Sequence, residues 1–155
     1  MLHTWGAPPL AGDTRDDGRP GWRPLPNLLA ASDIVSLHLP LTAQTHHLLG
    51  RDAPTRMKPN AVLVNTSRGA VVDEEALVDA LRAGRLAAAG LDVFEVEPVA
   101  PGNPLLGLDN VVLTPHVTWY TADTMRRYLT EAVANCRRLR DGEPLAHVVN
   151  QPTGC

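Results

Sequence analysis

Apolar positions along this chain fall into short blocks separated by mixed or polar stretches. Four blocks are apolar at most positions, which is typical of strands buried on both faces, and they span 33–39, 61–65, 88–93 and 111–114. Between and after them, apolar residues recur at helical spacing. Strands alternating with helices indicate a parallel sheet in an α/β domain.

The helix ends are marked by capping residues. Asp73 is expected to cap a helix that carries Leu77 and Leu81 on its apolar face and stops at Gly84. Thr121 is expected to cap a longer helix ending near Gly142. One apolar stripe of that helix consists of Met125, Leu129, Val133 and Cys136. A shorter helix is predicted over 28–31.

The beginning of the chain has a different composition. Residues 1–4 predict a short strand, whereas 6–26 are rich in Pro, Gly, Asp and Arg and predict a long loop. Such a loop is longer than compact domains usually contain, so we expect an irregular architecture at this end.

Composition excludes several classes of protein. The 155 residues suit one domain, 44% of them are apolar, and the net charge of −3 comes without a basic stripe, which argues against nucleic-acid binding. The two cysteines, Cys136 and Cys155, form no disulfide framework, and the six histidines do not cluster at metal-ligand spacing. No signal peptide or long apolar run is present, so we expect a cytoplasmic protein that does not contact membranes.

Chemically useful side chains follow several of the predicted strands. In open α/β sheets ligands bind beyond the carboxyl ends of the strands. There Arg68 offers a planar fork suited to a carboxylate, and Glu97 could orient His116 as a general acid or base. His38 also follows a strand, but no carboxylate lies at matching spacing, so a structural role is favoured for it.

Four ordered blocks resemble the D-isomer-specific 2-hydroxyacid dehydrogenases. They are Leu29-Ala-Ala-Ser-Asp-Ile-Val-Ser-Leu-His-Leu-Pro-Leu-Thr42, Met57-Lys-Pro-Asn-Ala-Val-Leu-Val-Asn-Thr-Ser-Arg-Gly-Ala-Val-Val-Asp73, Gly90-Leu-Asp-Val-Phe-Glu-Val-Glu-Pro98 and Leu113-Thr-Pro-His116. The resemblance covers about residues 25–150. It implies an oxidoreductase that interconverts a 2-oxo acid and a D-2-hydroxy acid with a nicotinamide cofactor, and a homodimer for the full-length enzyme.

The resemblance also implies roles for individual residues. Arg68 matches the substrate-binding arginine, Glu97 the catalytic acid and His116 the proton donor. The implied cofactor contacts are Pro40, Thr45, Thr66, Ser67 and Asp92. NAD is favoured as cofactor. NADP stays open because Thr4 or Trp5 occupies the place where an acidic residue would meet the adenosine ribose.

One part of the family pattern is missing. The sequence contains no Gly-x-Gly-x-x-Gly turn, so the expected fold is an incomplete Rossmann-like, doubly wound parallel sheet without its first strand, Gly-rich turn and first helix. We therefore divide the chain into an irregular segment with a short strand (1–26), a partial dinucleotide-binding domain (27–145) and a tail (146–155).

Loss of a central strand predicts unpaired backbone edges on both of its neighbours and a chain that alone folds poorly and binds nucleotide weakly. Two other functions therefore stay open, an inactive truncated remnant and a nucleotide-sensing protein like the corepressors that share this domain. A formate dehydrogenase is disfavoured because its family pattern lacks a Glu at position 97. The identity of the 2-hydroxy acid stays open as well.

Overall fold

The computed structural model describes residues 2–4 and 23–149 of the chain. Its strands are β1 (Leu2–Thr4), β2 (Ile34–Leu37), β3 (Val62–Asn65), β4 (Ala88–Leu91) and β5 (Val111–Leu113). Its α-helices are α1 (Leu25–Ala31), α2 (Ala53–Arg56), α3 (Glu74–Arg82) and α4 (Ala122–Asp141). Two short 3₁₀ helices span Gly69–Val71 and Pro104–Gly107.

The strands form a five-stranded sheet in the order β1-β2-β3-β4-β5, and every neighbouring pair is parallel. The predicted α/β fold with a parallel sheet is thereby confirmed. The prediction of unpaired edges beside an absent central strand was wrong, because β1 pairs directly with β2 from Leu2 opposite Ile34 to Thr4 opposite Ser36.

The sheet is buried on one face. On that face Val35, Leu63 and Ala89 lie side by side, and each is 2% exposed. The opposite face carries Ile34 and Val112, which are 41% and 71% exposed. The prediction of strands covered on both faces was therefore wrong for one face of the described sheet. Apolar runs alone do not distinguish a strand buried on one side from a strand buried on two.

The buried strand residues belong to one apolar cluster that includes Leu28 and Leu29 of α1 and Leu77 and Leu81 of α3. Helix α3 is capped as predicted, since the Asp73 side chain accepts a hydrogen bond from the amide of Ala76 (2.9 Å).

Two helices depart from the sequence-based expectation. Helix α1 begins at Leu25, inside the segment predicted as a loop, with Pro26 in its first turn, where a missing amide hydrogen costs nothing. Helix α2 was not predicted at all, because its four residues are too few to show a helical period. The predicted loop residues 6–22 lie outside the described residues.

The chain divides into two compact units, Met1–Val117 and Thr118–Cys155. The second contains α4 and the residues that flank it. Thr121 caps α4 as predicted, accepting from the amide of Thr124 (3.1 Å), and Gly142 ends it with a φ of 71°. Asn135 holds the following segment, since its side chain both donates to and accepts from the backbone of Ala146. Across residues 2–4 and 23–149, no helix has the length and apolarity needed to cross a bilayer.

Candidate active site

The predicted site residues stand where parallel strands end. Pro40 and Thr45 follow β2, Thr66 to Arg68 follow β3, Asp92 to Glu97 follow β4, and Thr114 to His116 follow β5. Because these strands are parallel neighbours, their carboxyl ends meet along one edge of the sheet.

Glu97 and His116 form the pair that the sequence suggested. Nδ1 of His116 donates to Oε2 of Glu97 at 2.8 Å, and the amide of Phe94 donates to Oε1 of Glu97 at 3.0 Å. The hydrogen bond from His116 lowers the pKa of Glu97 below its ordinary value, against partial desolvation that acts to raise it. Glu97 is therefore a carboxylate near neutral pH, and its bond fixes which imidazole nitrogen faces away from it.

Asp92 supports the segment that carries His116. Its side chain is 2% exposed, and Oδ1 accepts from the hydroxyl of Thr114 (2.5 Å) and from the amide of Val117 (2.9 Å). These donors lie on either side of His116, which has a φ of 55°. A left-handed backbone costs a residue with a side chain roughly 1 kcal/mol or more. The flanking bonds from Asp92 therefore stabilise His116 in a backbone conformation that is otherwise unfavourable.

Asn65 shapes the turn that presents Arg68. It is 1% exposed at the end of β3; its Nδ2 donates to the carbonyl of Arg68 (2.9 Å), and its Oδ1 accepts from the amide and hydroxyl of Ser67 (3.0 and 2.9 Å). The exposed Arg68 guanidinium donates to the carbonyl of Ser67 at 2.6 Å. Because the buried Asn65 side chain forms hydrogen bonds through both its nitrogen and its oxygen, it stabilises one conformation of this turn.

A cavity of about 450 Å³ opens beside the Glu97–His116 pair. Its lining residues are Phe94, Glu97, Pro98, Val99, Pro115 and His116. Arg68 is not among these residues. The structure thus brings two of the three predicted catalytic residues into direct contact and places the third on the neighbouring strand end, β3.

The predicted cofactor residues occupy tight turns. Thr45 Oγ1 donates to the carbonyl of Pro40 (2.7 Å) and accepts from the amide of Thr42 (2.7 Å), which closes the turn after β2. Thr66 and Ser67 are half-buried in the turn after β3. Cofactor contact by these residues and by Asp92 stays a prediction, as do the catalytic roles.

His38, the competing candidate acid, forms a hydrogen bond with the hydroxyl of Ser36 (2.7 Å). The structural role favoured for His38 stays a prediction. Within the described residues, no group of His, Cys, Asp and Glu side chains could hold a metal ion.

No role was predicted from the sequence for three residues around the site, namely His47, Gly69 and Glu95. Glu95 bonds to His47 and to the amide of Glu74, and Gly69 lies directly against the backbone of Phe94 and Glu95. Glu95 lies in the segment 92–97 that follows β4. The rule that ligands bind beyond strand ends could therefore have identified it as a candidate site residue. No pattern pointed to His47, whose partner is 48 positions away.

Three known proteins illustrate what the chain is similar to. A glyoxylate reductase of Korarchaeum cryptofilum is 50% identical over 128 residues, which cover 83% of this chain and 39% of that protein. A D-isomer specific 2-hydroxyacid dehydrogenase of Xanthobacter autotrophicus Py2, solved with NADPH and MES, is 44% identical with a TM-score of 0.69 over 81% of this chain and 51% of that one. A D-lactate dehydrogenase of Lactobacillus jensenii, solved with NAD+, is 30% identical with a TM-score of 0.77. The match covers 83% of this chain and 43% of that one.

The chain therefore spans well under two thirds of the length of these proteins. A family model described as the NAD binding domain of D-isomer specific 2-hydroxyacid dehydrogenases matches residues 8–118. That match takes in β2 to β5 and the three predicted catalytic residues. The chain belongs to the D-isomer specific 2-hydroxyacid dehydrogenase family, and residues 8–118 match the NAD binding domain of that family.

Proposed function

We propose that this chain provides the proton donor and the carboxylate-binding arginine for the NAD(P)H-dependent reduction of a 2-oxo acid to a D-2-hydroxy acid. The observation that carries the proposal is the 2.8 Å bond between His116 Nδ1 and Glu97 Oε2 at the mouth of a cavity. An imidazole oriented by a carboxylate in this way is suited to general acid–base catalysis near neutral pH.

Arg68 binds the substrate carboxylate in this proposal. Its guanidinium is exposed, and the Asn65 bonds hold the backbone from which it projects. A planar guanidinium can donate two parallel hydrogen bonds to a carboxylate, which orients the 2-oxo group as well as binding the acid.

His116 supplies the proton. With Nδ1 bonded to Glu97, the proton given to the substrate leaves from Nε2 and goes to the carbonyl oxygen. As the carbonyl carbon accepts a hydride, negative charge grows on that oxygen, and a protonated imidazole neutralises it. Glu97 stabilises the imidazolium before transfer, and solvent returns a proton to His116 afterwards.

The residues present fit the nicotinamide end of the cofactor better than its phosphate end. The turns at 40–45 and 65–68 lie at the carboxyl ends of adjacent parallel strands, where open α/β sheets bind nucleotides. A bound reduced nicotinamide would supply the hydride. The residues that we propose contact the cofactor are Pro40, Thr45, Thr66, Ser67 and Asp92. For the pyrophosphate, the sequence has no Gly-x-Gly-x-x-Gly turn.

The substrate class follows the Korarchaeum relative, named a glyoxylate reductase. We therefore propose glyoxylate and similar short 2-oxo acids as substrates, with either NADH or NADPH. A homodimer of the full-length protein, a cytoplasmic location and the absence of a nucleic-acid partner stay predictions.

The test measures oxidation of NADH and NADPH by the purified chain with glyoxylate, hydroxypyruvate or pyruvate, and the configuration of the product. A second sample is a chimera in which residues 27–145 replace the matching segment of the Korarchaeum glyoxylate reductase. We expect a D-2-hydroxy acid from the chimera or from both, and His116→Ala in the same background should lower kcat by about 100-fold or more.

Turnover by the chimera alone would still support the proposal, because the residues that it assigns come from this chain. The proposal is overturned if neither sample reduces any of the acids. It is also overturned if the His116→Ala variants turn over as fast as their parents.

A further inference from the structure

The loop that carries Glu97 is pressed against the turn that carries Arg68. Gly69 lies so close to the Phe94–Glu95 peptide that a Cβ built on it would overlap the carbonyl of Phe94 and the nitrogen of Glu95. Two strand-end segments, after β3 and after β4, therefore touch backbone to backbone behind the two predicted catalytic residues.

Glu95 joins these segments a second time. Its Oε1 accepts from the amide of Glu74, the first residue of α3 (3.0 Å), and its own amide donates to Oε2 of Glu74 (3.1 Å). Asn103 donates to the other oxygen of Glu74 at 2.6 Å. The amide of Glu74 has no partner within α3 because it lies in the first turn, and a carboxylate there also interacts favourably with the helix dipole.

A third segment, the turn after β2, meets at the same point. Nε2 of His47 donates to Oε1 of Glu95 at 2.7 Å, and the amide of His47 donates to the carbonyl of Ala70 at 2.8 Å. A single carboxylate oxygen thus receives hydrogen bonds from two segments that lie far apart in the chain, one carrying His47 and the other Glu74. We refer to His47, Glu74, Glu95 and Asn103 as the junction.

The junction contributes little to stability by charge alone. The Glu95 side chain is 30% exposed and that of His47 is 37% exposed, and ion pairs at such positions contribute on the order of 1 kcal/mol or less. Their geometric effect is larger. Glu95 is two residues from Glu97 in the same short loop, and a misplacement of about 1 Å at a reacting group can cost roughly 100-fold in rate.

We propose that Glu95 is a positioning residue, which fixes Glu97, and through it His116, relative to the turn that presents Arg68. This inference rests on the proposed function, since it assigns these three residues to one reaction. Glu95 touches neither substrate nor cofactor in this role. It acts by holding the Phe94–Glu97 loop to α3 and to His47.

The test compares Glu95→Ala with Glu95→Gln. Gln keeps the oxygen that accepts from both Glu74 and His47, so it preserves the junction without the charge, whereas Ala removes the acceptor. Glu75→Ala is the matched control. Glu75 lies in the same turn of α3 as Glu74, but its carboxylate forms a hydrogen bond with Arg51 outside the junction. Amide hydrogen exchange in the purified 155-residue chain is the first readout.

We expect Glu95→Ala to accelerate exchange about tenfold or more in the segments 69–76 and 94–97, because both lose hydrogen bonds that tie them together. Exchange in the Glu95→Gln and Glu75→Ala chains should match the parent. Unchanged exchange in Glu95→Ala would overturn the proposal without any measurement of activity.

The second readout is the steady-state rate of 2-oxo acid reduction, measured in the purified chain or in the chimera, whichever is active. Rates are expressed per folded molecule. Glu95→Ala should lower kcat about tenfold or more and leave KM for the acid within about twofold, because Arg68 still binds the carboxylate. Glu95→Gln should restore kcat. Parent-like kcat in Glu95→Ala, or a Gln variant as slow as the Ala variant, would refute a positioning role. If no chain or chimera reduces any acid, the proposed function has failed, and the exchange comparison still decides whether Glu95 forms the junction.

Discussion

At the scale of single residues, three polar groups set the geometry of the candidate site, and two of them, Asn65 and Asp92, are buried. Asn65 forms the turn before Arg68, Asp92 holds the backbone on both sides of His116, and Glu97 orients the imidazole. Burying a polar group without partners costs roughly 1–3 kcal/mol, so the buried side chains of Asn65 and Asp92 tolerate few alternative arrangements once their bonds are made. Such groups determine where a reacting atom lies more firmly than exposed side chains do.

Glu97→Gln separates orientation from charge at the site. The amide oxygen can still accept from Phe94, but the amide nitrogen then faces His116 Nδ1, where a carboxylate oxygen accepted a hydrogen bond before. A protonated imidazole is disfavoured by that contact, so kcat for 2-oxo acid reduction should fall by about 100-fold, with a smaller change in KM.

Steady-state kinetics would measure this effect in whichever sample, the purified chain or the chimera, reduces 2-oxo acids. The control is Glu143→Gln, at a position far from Glu97 in the sequence. Activity of Glu97→Gln within about twofold of the parent would show that Glu97 has no part in proton transfer.

At the scale of elements, the site depends on connections between strand ends rather than on the strands themselves. The 3₁₀ helix at Gly69–Val71 and helix α3 follow the turn of Arg68, and both contact the loop after β4 through Gly69 and Glu74. The close approach at Gly69 leaves no room for a side chain. Packing of this kind is sensitive to the addition of a single carbon.

Gly69→Ala is therefore expected to destabilise the first unit by about 2 kcal/mol, since the added methyl group must push the Phe94–Glu95 peptide away. Gly107→Ala is the matched control, because a Cβ there would meet nothing within 4 Å. Urea unfolding followed by circular dichroism would give both free energies of unfolding. Equal values for the two variants would contradict the close packing at Gly69.

At the scale of the whole molecule, carboxylate contacts link distant parts of the first unit. Lys58, before β3, donates to Asp33 beside β2 at 2.7 Å, and this bond is the largest of the causes that lower the pKa of Asp33 to about 2. The pKa of Glu97 is lowered as well, mainly by His116. Both groups bind a proton less readily in the folded chain than in the unfolded chain, so folding is favoured wherever they are ionised.

This linkage predicts acid sensitivity of a definite sign. The stabilisation from both carboxylates is complete above their unfolded pKa values of about 4, and it is lost as the pH falls toward the folded values, about 2 for Asp33. The urea midpoint should fall between about pH 6 and about pH 3, and Asp33→Asn should reduce that fall. Because the Asp33 pair is exposed, added salt should weaken the effect. An equal fall in Asp33→Asn and the parent would contradict a role for this pair.

Local pattern was sufficient for several features of this protein. Apolar runs located β2 to β5, the caps Asp73 and Thr121 located the starts of α3 and α4, and the strand-end rule selected Arg68, Glu97 and His116 before any contact was known. Each of these inferences depends on residues within a few positions of one another. Hydrophobic period and capping act over that range, so they can be read without a fold.

Long-range contacts decided the rest. The pairing of β1 with β2, the sheet face that leaves Ile34 exposed and the meeting of His47, Glu74 and Glu95 all join residues far apart in the chain. The positive φ of His116 is another such feature, since Asp92 maintains it from the neighbouring strand end. The sequence by itself determined which residues could react and which strands carry them. Tertiary structure decided how those residues are oriented, because orientation depends on hydrogen bonds and close packing between segments that no local pattern relates.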